Sequence, residues 1–449
     1  YISINKMSRS TFIILYISLF WGHALQAQTA KQSPVKAFVN FHLLTMEDSI
    51  PKLSQTVIIK NDKIIQIGAS QEVKVPANAL VIDGKNRQFL IPGLTDTHVH
   101  LPPKKSREWI RAFIHSGVTT VFNLSGKQKI LNMRKEVKQG KLIGPDIYTG
   151  GFGGVLPALN RSGFKKVSLD RIERAILKQK AQGYDMLKVA NQLTLAQYAH
   201  ILKVARREGL HVNGHIPRTL TAEDALRVGQ KSFAYTEEFI YTQFTTFDEQ
   251  EVVAFAQKAA KQKTWLMANI IGYEKIAQTW GRPQVVDSIL ALPESKRWHP
   301  KVIKIFAKNW YGRRDKKGRE YVEKVYQFYF SIVKHFHQAG VKMLVGTNTV
   351  LPLVAPGESV LEEIKRLIKA SLPPYEALKA ATSNPGKYAQ LFINPKARFG
   401  KIKENYTAHL VVLASNPLQN LEVLKKTIGV LLRGQWYDRA ALQKLVKWD

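Results

Sequence analysis

At 449 residues the chain is too long for one small domain and suits a large barrel with a minor domain beside it. Hydrophobic residues make up 45% and charged residues 22%, as in globular chains that bury a core, and the absence of cysteine excludes disulfides, thiolate metal sites and cysteine nucleophiles. The formal net charge of +33 favours anionic partners such as membrane surfaces or envelope polymers. The basic residues are scattered, as in the Lys-Lys pairs at 104–105, 165–166, 316–317 and 425–426, which reads as a solvated basic surface and excludes a dedicated nucleic-acid site.

Lys6 and Arg9 precede an apolar run from Phe12 to Trp21, and small and polar residues follow up to Leu25-Gln26-Ala27. That three-part pattern predicts a secretory signal peptide over residues 1–27, too short in its apolar core for a membrane span. The expected product is an exported chain, periplasmic or secreted, with no membrane span after cleavage.

Residues 35–90 read as short strands, with Val57-Ile58-Ile59 and Ile64-Ile65-Gln66-Ile67 flanking a hairpin turn at Asn61-Asp62. From residue 91 the pattern changes to strands alternating with helical segments. Strands are expected at 117–123, 146–151, 184–190, 210–215, 231–236, 264–268 and 342–348. Helices are expected between them, with Ser168 capping the one at 168–182. An aromatic-rich helical insertion spans roughly 274–338. Residues after 398 return to short strands at 409–413 and 428–432. The fold expectation is α/β: a (β/α)₈ TIM barrel over 91–397, with a small β-sandwich domain built from 35–90 and 398–449.

Ahead of this series stands Pro92-Gly93-Leu94-Thr95-Asp96-Thr97-His98-Val99-His100. Side chains alternate faces along a strand, so His98 and His100 point the same way. Two imidazoles aimed into one space can hold a metal ion; equally, they can be a polar strand end facing solvent. The barrel pattern places His100, Asn123, Lys188, His215, Tyr235 and Asn348 at strand ends, where such folds carry their chemistry.

The nonapeptide 92–100 resembles the first-strand signature of the amidohydrolase superfamily. Gly117-Val118-Thr119-Thr120, Gly214-His215-Ile216-Pro217, Gly346-Thr347-Asn348, Ala381-Thr382-Ser383-Asn384-Pro385 and Ala408-His409-Leu410-Val411-Val412-Leu413 resemble its later landmarks, in order. The resemblance spans about 35–440 and is nearest to the prolidase-like and imidazolonepropionase-like branch. It implies a metal-activated hydroxide attacking a carbon–nitrogen bond in a small peptide-like or cyclic amide. It implies one or two divalent ions, zinc by expectation, held by His98, His100, His215 and Lys188, the lysine as a bridging carbamate. His211, deeper on the same face as His215, reads as a packing residue.

Two positions depart from that pattern. Tyr235 stands where the family has a strand-six histidine ligand, and Asn348 stands where it has the aspartate that takes a proton from the attacking water. A neutral amide cannot accept that proton, and a phenol must ionise before it ligates well. Glu237 and Glu238 are the nearby oxygen donors that could substitute. The sequence therefore supports a hydrolase with an altered centre, or a catalytically impaired pseudoenzyme of the same fold with a binding or scaffold role. A small molecule is the expected partner either way, and the oligomeric state stays open between a monomer and a homo-oligomer. Substrate choice is expected to rest on the loop at 150–161 and on the insertion, including Trp280, Trp298, Trp310 and Tyr311.

Overall fold

A computed structural model describes residues 35–102, 106–151, 167–308 and 314–448. The expected signal peptide, Trp310, Tyr311 and most of the loop at 150–161 lie outside the described residues. The first strands are β1 (Lys36–Leu43), β2 (Lys52–Lys60), β3 (Lys63–Ala69), β4 (Leu80–Asp83) and β5 (Phe89–Pro92). The next series is β6 (Leu94–Val99), β7 (Val118–Gly126), β8 (Asp146–Gly151), β9 (Met186–Val189), β10 (His211–Gly214), β11 (Ser232–Phe233), β12 (Trp265–Met267) and β13 (Lys342–Leu344). The chain closes with β14 (Leu410–Leu413), β15 (Gly429–Leu432) and β16 (Gln435–Asp438).

Both ends of the chain meet in one hydrogen-bonded sheet, ordered β16-β15-β14-β5-β1-β2-β3. β1 gives one edge to β2 and divides the other between β4, opposite Lys36–Val39, and β5, opposite His42 and Leu43. β5 pairs antiparallel with β14, setting Leu90 against Val412 and Ile91 against Val411. The expected β2–β3 hairpin forms around Asn61, whose φ of 55° is the left-handed value that asparagine tolerates in such turns. Phe38, Phe41, Val57, Leu90, Val412 and Leu431 share one buried cluster. At roughly 1.5–3 kcal/mol per large apolar side chain, it fastens the terminal strands to the initial ones.

β5 runs into β6 across Gly93, where a Cβ would lie 2.2 Å from Thr119 Oγ1, so the strands approach this closely only at a glycine. β6 to β10 form a five-stranded sheet and β11 to β13 a three-stranded one, with parallel pairing throughout. The backbone N–H of Ala234 donates to Gly214 O (3.2 Å), and that of Thr97 to Val345 O (2.8 Å). Bonds thus cross both gaps between the two sheets. The result is a mixed α/β fold in a TIM-barrel-like arrangement.

Helices cover the outer faces, and β7 accordingly reads as a continuous buried run, Val118 to Leu124, instead of an alternating one. Ser168 caps the helix Leu169–Ala181 by accepting from Arg171 N–H, as its sequence position predicted. The helix Leu195–Arg207 has a full capping box from Thr194 and Gln197.

Of the expected strands, β9, β11 and β13 fall furthest short of their spans. β11 stops at Phe233, because Thr236 turns its hydroxyl onto Ala268 O and the chain enters the helix Glu237–Thr242. β13 stops at Leu344, and Asn348 lies beyond it with φ 60°. β9 stops at Val189. The insertion is built from helices Ile270–Thr279, Pro283–Leu290, Pro300–Ala307 and Arg319–Ala339. Two of its tryptophans serve packing: Trp280 donates to Lys317 O and Trp298 to the Glu358 carboxylate.

Candidate active site

The first strand carries its histidines on a buried support. Asp96, fully buried, accepts from the backbone N–H of His98 (3.1 Å) and Thr347 (3.0 Å), and from the Thr347 hydroxyl (2.6 Å). It shares the face of His98 and His100, by the same alternation that paired the histidines, and it ties β6 to the segment after β13. Burial pushes its carboxyl up to about 7 against these hydrogen bonds. Gly346 lets that segment come close, since a Cβ there would lie 2.7 Å from His98 Cβ. Asp96 is a support that sequence reasoning missed; the period-two series gives its face, but not the partners that make it a support.

His98 Nδ1 bonds Ala234 O at 3.0 Å, so the ring nitrogen that donates there leaves the Nε2 lone pair facing inward. His98 Nε2 lies 3.2 Å from His100 Nε2, which lies 3.4 Å from the Tyr235 hydroxyl. Lys188 Nζ donates to that hydroxyl at 2.7 Å. The Tyr235 ring stacks on His215, with centroids 4.2 Å apart and planes at 11°, and stands edge-on to His98 at 4.6 Å. His98, His100, Lys188, His215 and Tyr235 are therefore brought together, and Tyr235 is the hub.

His215 Nδ1 meets Glu238 Oε1 at 2.6 Å. Arg218 Nη2 donates to Glu238 Oε1 at 3.3 Å, its Nε forms an ion pair with Oε2 at 2.9 Å, and its guanidinium stacks over Tyr241 at 4.0 Å. Glu237 is held by the Tyr329 hydroxyl at 2.5 Å. Neither glutamate thus takes the place of the strand-six ligand: one orients His215 and the other is tied to the insertion. Asn348 donates its backbone N–H to His98 O at 2.8 Å, and its carbonyl accepts from Leu351 N–H at 2.8 Å. Asn123, another strand-end polar residue, is structural, accepting from Leu101 N–H (2.7 Å) and donating to Thr149 Oγ1 (2.9 Å). His211 packs as expected, bonded to Ser232 Oγ at 2.7 Å and stacked on Phe392.

Burial, reinforced by the nearby Lys188 charge, holds His98, His100 and His215 well below the usual histidine range, so all three are neutral at physiological pH. Burial also lowers Lys188 to about 8, against the pull of Glu238 and Glu237. Tyr235 is pushed far above the normal phenol range by burial and then by the same two carboxylates, so it stays protonated. Burial raises Glu238 to about 7, with Arg218 opposing.

These donors can be tested against a metal. Two nitrogens each ~2.0–2.1 Å from a tetrahedral zinc lie ~3.3–3.4 Å apart, close to the His98–His100 separation. Neutral rings, with a backbone carbonyl orienting His98 through Nδ1, also suit ligation. A bridged pair of ions fits poorly: an unmodified Lys188 has no lone pair to offer in its charged form, and Asn348 brings no charge. Among the described residues no group of three or more His, Cys, Asp or Glu side chains is arranged to hold an ion. The His98–His100 pair alone has the spacing of two nitrogens on one ion.

Residues 89–437 match the amidohydrolase family. The chain belongs to that family. It is 23% identical to ochratoxinase of Aspergillus niger over 86% of this chain and 83% of the fungal protein. Among solved structures, a putative prolidase from Bifidobacterium longum aligns with a TM-score of 0.66 at 20% identity, over 92% of this chain and 98% of the other. Bottromycin amidohydrolase aligns with a TM-score of 0.69 at 19% identity, over 92% and 88%. These likenesses support the amidohydrolase fold; in such a fold His98, His100, Lys188, His215 and Tyr235 stand at the mouth formed by the carboxyl ends of β6, β9, β10 and β11.

Proposed function

We propose that the protein is an exported hydrolase of a carbon–nitrogen bond in a small amide, working with a single divalent ion. The observation that carries this reading is the convergence of His98, His100, Lys188, His215 and Tyr235 within hydrogen-bond or stacking distance. Prolidase-like, ochratoxinase and amidohydrolase relatives support the reaction class. Residues 91–397 form the (β/α)₈ barrel in this reading, closed by the hydrogen bonds across both sheet gaps. Residues 35–90 and 398–449 form the minor β domain, a sandwich folded about β1. The signal-like residues 1–27 support export, and the charge of +33 supports contact with anionic envelope surfaces.

His98 and His100 would hold the ion, with His215 the third nitrogen donor; zinc is the metal that suits such a set. When bound, the ion supplies a water of lowered pKa and polarises the substrate carbonyl. The chain's own residues do the rest. Glu238 fixes the His215 ring and leaves Nε2 directed away from the carboxylate. Tyr235 and Lys188 present a hydroxyl and an ammonium that can donate hydrogen bonds to a developing oxyanion. Asn348 can donate or accept a hydrogen bond to position substrate, but takes no proton. Carboxylation of Lys188 would convert it into an oxygen donor and admit a second ion.

A second reading, a binding protein with catalysis lost, is favoured by the uncharged Asn348 and by the Lys188–Tyr235 bond. Metal analysis of the purified chain, with turnover of N-acyl amino acids, dipeptides and cyclic amides, separates the two. A hydrolase retains close to one ion per chain and loses turnover in His98→Ala. A binding protein retains far less and turns over none of them.

A further inference from the structure

A second cavity lies away from the histidine pocket. Its volume is about 360 Å³, within the range of small-molecule sites, and none of the residues assigned to the histidine pocket lines it. Lys342, the first residue of β13, stands on its wall, so the cavity opens at the amino end of that strand, opposite the end that carries the chemistry. The start of the helix Ser383–Phe392 forms a second wall. Glu47, Lys401 and Tyr406, from the segments beside the terminal sheet, form a third.

The charges on these walls do not cancel. Lys342, Lys379, Lys387 and Lys401 face Glu47 as the one lining acid. Glu47 is taken up by Lys403 at 2.9 Å, with Lys401 at 3.8 Å, and Lys379 is paired with Glu376 at 3.0 Å. With those outer partners included, five lysines stand against two glutamates. Lys342 and Lys387 are exposed and have no ion-pair partner among the described residues. Their ammonium groups are therefore free to meet an anion.

A polar group of the helix points to the same ligand. Ser383 is only 5% exposed, yet its hydroxyl has no hydrogen-bond partner among the described residues. That hydroxyl is not sealed off, so the space it reaches is the cavity it lines. Lys387 lies four residues on, one turn along the same helix face. Asn384 Nδ2 donates to Met343 O at 3.0 Å, which ties this turn to β13 directly beside Lys342. Gly386 lets the helix rest on the chain at Phe399, where a Cβ would lie 2.2 Å from the carbonyl oxygen, so the helix start is fixed in place. The first turn of the helix adds free N–H groups and a partial positive charge.

Lysine point charges, a hydroxyl and a helix N-terminus together suit the oxygens of a phosphate group. At ~30 Å³ for each water-sized group, the cavity holds far more than a bare phosphate. Met46, Ala397 and Phe399, all buried, give the remaining space an apolar wall.

We propose that this cavity binds a phosphate monoester, its phosphate held by Lys342, Lys387 and Ser383 and its organic body lying against Met46 and Phe399. The site is separate from the hydrolytic pocket and does not depend on its activity.

Titration calorimetry of the full chain with phenyl phosphate, inorganic phosphate and phenol tests it. One phenyl phosphate is expected per chain, inorganic phosphate about tenfold weaker, and no binding of phenol. Lys342→Gln and Lys387→Gln should each weaken phenyl phosphate about tenfold, and Ser383→Ala should weaken it severalfold. Lys426→Gln, which removes an exposed lysine outside the cavity, should leave the affinity unchanged. His98→Ala should also leave it unchanged, which separates this site from any ion in the histidine pocket. Melting temperatures show which variants are folded; should one lysine variant fail, the other decides. No saturable binding of phenyl phosphate, equal binding of inorganic phosphate or phenol, or binding undiminished in the lysine variants would overturn the proposal. Equal weakening in Lys426→Gln, or loss in His98→Ala, would overturn it as well.

Discussion

On the β6 side of the histidine pocket His98 is held twice: Asp96 accepts from its backbone N–H, and Ala234 O, reaching across from the end of β11, holds its ring, with His100 Nε2 at 3.2 Å. On the side of β11 and β13 the groups are neutral, Tyr235 and Asn348, and the phenol is bonded to the Lys188 ammonium. One half presents two oriented imidazoles, and the other presents a phenol and an amide that carry no charge. Under the proposed function, holding an ion and moving a proton would depend on different atoms, so one could persist while the other is altered.

The largest effect is expected at His98. If the β6 half holds the ion, His98→Ala should empty the site and lower kcat by ~10³-fold or more, the several kcal/mol that a bound ion contributes. Metal content and turnover, measured together, check this; an alanine variant that keeps its ion would place the metal elsewhere.

The opposite half is sharpened by restoring charge. Asn348 already has a left-handed φ of 60°, which aspartate also accepts, so Asn348→Asp needs no backbone change. Combined with Tyr235→His it should raise kcat by ~10²-fold or more and increase the ions bound per chain. An unchanged rate with an intact melting profile would mean the pocket has diverged beyond these two positions.

Asp96 tests the support beneath the histidines. Asp96→Ala leaves the backbone N–H groups of His98 and Thr347 unpaired in a fully buried place, the Thr347 hydroxyl keeping Thr349 Oγ1, and should cost about 2–3 kcal/mol of stability, read from the urea midpoint. A shift below half that value would show that the strand end is held by packing alone.

His211, deeper on β10, gives the smallest effect and carries a sign. Burial holds its folded form neutral down to about pH 3, while an unfolded histidine takes up a proton near 6.5. Its contribution is thus fully present above pH 6.5 and is lost as the pH falls towards 3. Relative to His211→Gln, the wild type should lose roughly 2 kcal/mol between pH 6.5 and 5. Parallel pH profiles for the two proteins would contradict a neutral, packed His211.

Much of this site is legible in the chain alone. His98 and His100 follow from strand alternation, and His211 is separable from His215 by depth along one strand. The strand-end positions of Tyr235 and Asn348 are legible as well, because they stand at fixed places in a series of strands. Asp96 is not, because a carboxylate in a strand reads as polar surface until its partners, 251 residues away, are known. Arg218 and Glu238 are likewise hidden. Their pairing depends on how the helix after β11 turns back towards β10.

The sequence by itself determined the alternation of strands and helices, the shared face of the histidine pair and the neutral character of Tyr235 and Asn348, since period and side-chain chemistry are local properties. Only the tertiary structure decided that Tyr235 lies between His98 and His215 with Lys188 on its hydroxyl, and that Glu238 serves His215. Those facts join segments far apart in the chain, and burial and distance exist only once the segments have packed.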